Sequence, residues 1–117
     1  MKRILLVDDD LDMTKIVSRW LEKAGYEVKV AISGYAAIDC LKASEYDLIL
    51  LDYAMPDMNG EDTLKAIRLE GYDTKVLFRT GADDVDIKGS IDEYDALGYV
   101  SKADGKSKLL SEIAKVI

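Results

Sequence analysis

Short apolar runs alternate with segments of helical period from the first residues to the last, and this alternation constrains the fold more than any other property of the chain. Arg3 to Val7 (RILLV) is a continuous β-type run closed by Asp8, Asp9 and Asp10. Met13, Ile16, Val17, Trp20, Leu21 and Ala24 then recur at the spacing of one helix face, and Gly25 reads as the residue that ends it. Glu27 to Ile32 alternates as a strand, and Tyr35 to Ala43 carries Ala37, Ile38 and Leu41 as a second helix. Leu48 to Leu51 is a third strand, apolar on both faces as a central parallel strand requires. A loop from Asp52 to Gly60 precedes a helix with Leu64 and Ile67 inward, stopped near Gly71. Lys75 to Phe78 and Gly98 to Val100 supply strands four and five. A last helix from about Lys106 presents Leu109, Leu110, Ile113, Ala114 and Ile117 on one face. Between Asp83 and Leu97 the density of Asp, with Gly89 and Ser90, predicts a helix that is short or mobile. The βα repetition implies right-handed crossovers and an α/β fold, a doubly wound five-stranded parallel sheet with helices on both faces.

A chain of 117 residues, 49% of them hydrophobic, is expected to form one domain with a core that needs no disulfide or structural metal. The single Cys40 excludes an internal disulfide. The absence of histidine excludes Ser-His-Asp and Cys-His nucleophile pairs, histidine zinc sites and a phosphohistidine on this chain. With 16 basic and 23 acidic side chains the net charge is −7, which repels phosphate backbones, so no direct nucleic-acid binding is expected. The apolar runs are too short to span a bilayer, and acids stand where a signal peptide would remain apolar. The expectation is a cytoplasmic protein without membrane insertion.

Ligands of doubly wound sheets bind beyond the carboxyl ends of the strands. Asp8 and Asp9 lie at that end of strand one, Asp52 of strand three and Thr80 of strand four, while strand five leads into Lys102. Like-charged carboxylates about 4 Å apart repel by roughly 4 kcal/mol at an effective dielectric near 20. Such a cluster calls for a cation, and a hard divalent ion suits oxygen donors, Mg²⁺ more than Ca²⁺. Taken singly, Asp8 to Asp12 also reads as a cap on the first helix, Thr80 as a turn residue and Lys102 as a solvated charge.

LLVDDD at the end of strand one, LILLDYAMPDMNG at 48–60, VLFRTG at 76–81 and GYVSK at 98–102 together resemble the receiver domain of bacterial two-component response regulators. The resemblance covers essentially the whole chain. It implies the flavodoxin-like fold of the chemotaxis regulators, strand order 2-1-3-4-5, with residues 1–117 forming a receiver domain without an output domain. It also implies that Asp52 is the phosphoacceptor, and that Asp8, Asp9, Asp52 and the backbone carbonyl of Ala54 hold Mg²⁺, or Mn²⁺ in its place. Thr80 and Lys102 would contact the phosphoryl group, Thr80 and Tyr99 would form the switch, and Ala54 and Ala82 would tune phosphoryl lifetime. The implied donor is a sensor histidine kinase, a phosphotransfer protein or a small phosphodonor. A downstream partner would use the face of helix four, strand five and helix five, and the chain would be a signalling module catalysing only its own phosphorylation and dephosphorylation.

Three positions depart from the family pattern. Lys102 is followed by Ala103 rather than proline, which leaves a cis and a trans peptide both open. Asp104 stands where an aromatic or apolar residue is common. Arg79 replaces a small or apolar residue, and is read either as pairing with Asp83, Asp84 or Asp86 or as snorkelling at the surface. Two other functions compete: a receiver fold that only binds partners, and a haloacid-dehalogenase-type phosphatase with Asp8 as nucleophile. Asp12 lacks the Thr or Val expected by the latter. An EF-hand loop starting at Asp8 fails at Met13 and Arg19, and a P-loop ending in Gly105-Lys106-Ser107 lacks its first glycine at Val100.

Overall fold

Asp10, Ser33 and Asn59 set the starts of three helices, because each side chain accepts a hydrogen bond from a backbone N–H of the first turn. The computed structural model describes residues 1–81 and 87–117. In chain order the elements are β1 (Arg3–Val7), α1 (Leu11–Lys23), β2 (Glu27–Ala31), α2 (Gly34–Ala43), β3 (Leu48–Asp52), α3 (Gly60–Leu69), β4 (Val76–Thr80), α4 (Ile87–Tyr94), β5 (Gly98–Ser101) and α5 (Gly105–Val116). The strands form one parallel sheet in the order β2-β1-β3-β4-β5. The expected α/β architecture and strand order are therefore present.

Side chains alternate across each strand, so the sheet has two apolar layers. Ile4, Leu6, Leu48, Leu50, Leu77 and Val100 face one layer, with Val17 and Leu21 of α1 and Leu109 and Ile113 of α5. Leu5, Val7, Ile49, Leu51, Val76 and Phe78 face the other, with Ala37 and Leu41 of α2, Leu64 and Ile67 of α3 and Ile87 of α4. Every residue of β3 and β4 is buried, as expected for interior strands covered on both sides.

The differences from expectation lie at edges. Ile16 and Ala114 belong to the predicted inward faces of α1 and α5, yet both are exposed, because each sits at the flank of a narrow apolar stripe. β3 runs on through Asp52 and β4 through Thr80, so both polar residues are strand ends rather than loop residues. The acidic segment after Gly81 yields an α4 of eight residues, Ile87–Tyr94; residues 83–86 of the predicted stretch lie outside the described residues. The Lys102-Ala103 peptide is trans, and Lys102–Asp104 forms a 3₁₀ turn capped by the Ser101 hydroxyl, which accepts from the Ala103 N–H. No described helix is long and apolar enough to cross a membrane.

Candidate functional site

The alternation that builds the layers also delivers the polar residues. Asp8 continues the parity of Ile4 and Leu6, Asp52 that of Leu48 and Leu50, and Arg79 that of Leu77, so all three cap the layer of α1 and α5. Asp52 and Arg79 are register partners across β3 and β4. Lys102, two residues beyond Val100, enters the same space. Its Nζ lies 3.1 Å from Asp52 Oδ2 and 3.2 Å from Asp8 Oδ2. The Asp10 N–H donates to Asp8 Oδ1 at 2.9 Å, and the Ala54 N–H to Asp52 Oδ1 at 3.3 Å. Asp8 and Asp52 are buried whereas Asp9 is exposed, and one carboxylate oxygen from each of the three lies within 4.8 Å of the others. A trans Lys102-Ala103 peptide thus still brings the ammonium onto both buried carboxylates.

The electrostatics follow from burial. Loss of solvent raises the Asp52 pKa, the neighbouring Asp8 raises it further, and Lys102 and the Ala54 N–H oppose them, leaving it at about 6. Burial alone would lower the Lys102 pKa, but Asp52 and Asp8 outweigh it and hold that pKa above its usual value. Carboxylates this close, with an exposed member and only oxygen donors, fit a hard divalent ion that keeps several waters. Of the residues predicted to hold the ion, Asp8, Asp9 and Asp52 assemble as a cluster that could hold a metal, with the buried pair behind and Asp9 at the solvent side.

Arg79 departs from one of its two sequence-based readings, that of a surface residue. It is only 3% exposed, not a surface snorkeller, and its Nη1 lies 3.9 Å from Asp8 Oδ2. Its Nε and Nη1 have no hydrogen-bond partner, nor has Asp8 Oδ2. Burial lowers the guanidinium pKa while Asp8 and Asp52 act to raise it, and an arginine stays cationic throughout. The aspartates proposed as its partners, Asp83, Asp84 and Asp86, lie outside the described residues. The signal that identifies Arg79 is parity: an interior strand with both faces covered offers an arginine no route to solvent.

The opposite layer ends in hydroxyls. Thr80 shares the parity of Phe78 and is buried at the end of β4. Tyr53, just after Asp52, sets its ring edge-on to Phe78 at 5.2 Å and its hydroxyl 3.0 Å from Ser90 Oγ on α4. Tyr53 is the second contributor that sequence reasoning passed over, since an aromatic in a loop carries no periodic signal. Tyr99 on β5 is 47% exposed, so the predicted switch aromatic points outward here. Ala54 is exposed beside Asp52, and Ala82 lies outside the described residues. The loop from Tyr53 to Asn59 depends on Gly60, where a Cβ would stand 2.6 Å from the Asp52 carbonyl oxygen and 2.7 Å from Tyr53 Cα. Its N–H donates to the Tyr53 carbonyl at 2.8 Å, drawing the loop back onto the end of β3.

The family model described as the response regulator receiver domain matches residues 4–114. The chain belongs to the response regulator receiver family. This receiver domain is 34% identical, over all of its length and 98% of the relative's, to the response regulator receiver protein CpdR of Brucella abortus. It is 30% identical to the cell cycle transcriptional regulator CtrA of Caulobacter vibrioides across 98% of this chain and 50% of that protein. The chain spans half or less of the first curated relatives it matches. Among solved structures, chemotaxis protein CheY4 of Vibrio cholerae superposes with a TM-score of 0.93 at 30% identity, covering 100% of this chain and 99% of that one. Response regulator TrrA of Thermotoga maritima, in complex with Mg²⁺-BeF, gives 0.89 at 30% identity over the full length of both chains. The receiver family is a signalling module rather than an enzyme class, and the doubly wound fold is the fold of its members.

Proposed function

We propose that this receiver domain accepts a phosphoryl group on Asp52 and uses the modified aspartate to alter a partner-binding face. The observation that carries the reading is the convergence of Lys102 Nζ on Asp52 and Asp8, with Asp9 within ligand reach of both. An Asp52 carboxylate oxygen attacks phosphorus, a new P–O bond forms, and the bond to the donor breaks with its electron pair leaving on the donor. Lys102 is placed to neutralise a phosphoryl oxygen, and the Thr80 hydroxyl, at the neighbouring strand end, to donate to another. A divalent ion held by Asp8, Asp9, Asp52 and the Ala54 carbonyl would supply the remaining charge neutralisation. The capture of the similar TrrA with Mg²⁺-BeF supports this assignment.

The donor is proposed to be a histidine kinase, a phosphotransfer protein or a small phosphodonor, because the chain has no histidine of its own to carry the group. The responding surface is proposed to be α4, β5 and α5, which adjoin Thr80 and Tyr99, in a cytoplasmic protein. Incubation with acetyl phosphate and Mg²⁺, read by intact mass, tests the assignment. One acyl phosphate is expected on the parent and none on Asp52→Ala. Label that persists in Asp52→Ala but disappears in Asp8→Ala would instead indicate the phosphatase chemistry, and no label on the parent a binding module. Ala54 has no polar side chain to orient an attacking water, so Ala54→Asn is expected to change the dephosphorylation rate, as is Ala82→Glu. Parent-like rates in both would remove these positions from lifetime control.

A further inference from the structure

Among the described residues, Arg79 is the one charged side chain of the site for which the proposed chemistry has no use. β4 is paired on both edges by β3 and β5 and buried along its whole length by the helices on both faces, and Arg79 has the parity of Leu77, in the layer of Val100. From β4 its guanidinium extends past β3 to Asp8 at the end of β1, stopping with Nη1 3.9 Å from Oδ2. Both groups are almost wholly buried, and Nε, Nη1 and Oδ2 make no hydrogen bond. Burying a guanidinium without hydrogen bonds is costly, and such a group is retained where its charge is needed.

We propose that Arg79 is a resident counter-ion of the carboxylate cluster, which holds Asp8 and competes with the divalent cation that the cluster takes. This inference rests on the metal assignment made above. Among the described residues, three carboxylates and Lys102 leave the cluster at −2, a charge that one divalent ion cancels. With Arg79 the cluster stands at −1, and the same ion takes it to +1. Arginine does not surrender its proton, so this compensation is present whether or not an ion is bound. Asp8 has one oxygen on the Asp10 N–H and the other between Lys102 and Arg79, so both its oxygens are engaged. Asp52 is engaged likewise, by Lys102 and the Ala54 N–H, so binding of the ion falls mainly to exposed Asp9. Weak divalent binding, with carboxylates kept together in its absence, is the expected behaviour.

Calorimetric titration of the full chain with MgCl₂ at fixed ionic strength tests the proposal. Arg79→Met and Arg79→Gln remove the charge and are expected to tighten Mg²⁺ binding by at least about tenfold, whereas Arg79→Lys stays within about threefold of the parent. Binding that appears only in the neutral variants supports the proposal equally. Unchanged or weaker binding in whichever neutral variant folds, or the same tightening in Arg79→Lys, overturns it. Thermal unfolding gives a second reading, since ligand stabilisation grows with affinity: Mg²⁺ should raise the Tm of Arg79→Met more than that of the parent. The acetyl phosphate experiment is independent of both. A parent that labels on Asp52 while Arg79 variants bind Mg²⁺ as the parent does would refute the counter-ion role and leave the phosphoacceptor role standing.

Discussion

The two layers of this sheet are built alike and end differently. The layer of α1 and α5 passes from Leu and Ile into Asp8, Asp52, Arg79 and Lys102, while the layer of α2, α3 and α4 passes from Leu51 and Phe78 into Tyr53, Thr80 and Ser90. Adjacent residues of one strand, Arg79 and Thr80, belong to opposite layers. Charge is thereby concentrated on one side, where it can hold an ion and a transferring group. Hydroxyls on the other side connect the end of β3 to α4, and the Tyr53 hydroxyl also donates to the Glu61 carboxylate on α3 at 3.5 Å. A single strand carries the cation of one side and the hydroxyl of the other, and both meet the site at the strand's end.

Changes on the hydroxyl side should act on stability and helix attachment, and changes on the charged side on pH dependence. The largest effect is expected for Phe78→Ala, which removes a fully buried ring and the edge-on partner of Tyr53. A loss of about 3–5 kcal/mol in urea unfolding is expected, and a loss below about 1 kcal/mol would show that this layer is not what holds the fold. Next comes Asp52 in metal-free protein. Its folded-state pKa of about 6 lies above its ordinary value of 3.8, so between those values the folded state binds more protons than the unfolded chain. Stability should therefore fall as pH rises through that window, by on the order of 2 kcal/mol, and Asp52→Asn should remove that part of the slope. Equal slopes in the two proteins would break the contrast between the layers. The smallest effect is expected for Tyr53→Phe, which deletes the hydroxyl shared with Ser90 at a cost of about 0.5–1.5 kcal/mol. Amide exchange in Ile87–Tyr94 should quicken while that in α5 stays as it was; equal acceleration in both helices would mean the bond does not act locally.

Most of the architecture was legible because each element carries its own signal: the apolar run at Leu48–Leu51, the helical spacing from Met13 to Leu21, the alternation from Glu27 to Ile32. Asp8, Asp9, Asp52 and Lys102 were legible because strand ends of a parallel sheet converge, so position in the sequence stood in for position in space. Arg79 was not, because a lone charge was weighed as a residue and not as a member of a strand. Its neighbours Phe78 and Thr80 both turn to the other layer, which leaves Arg79 facing Leu77's side, directly in register with Asp52. The conformation at Lys102-Ala103 was not legible either, since the choice depends on how Ser101 caps the turn that follows.

Arg68 on α3 fixes the far end of α4. Its guanidinium donates to the carbonyls of Tyr94 and Asp95 at 2.8 and 3.0 Å, and to those of Tyr72 and Thr74 at 3.0 and 2.9 Å. One planar group thus rivets the last turn of α4 to the segment that leads into β4. α4 is thus held by hydrogen bonds at its last turn and at Ser90, and by apolar burial at Ile87.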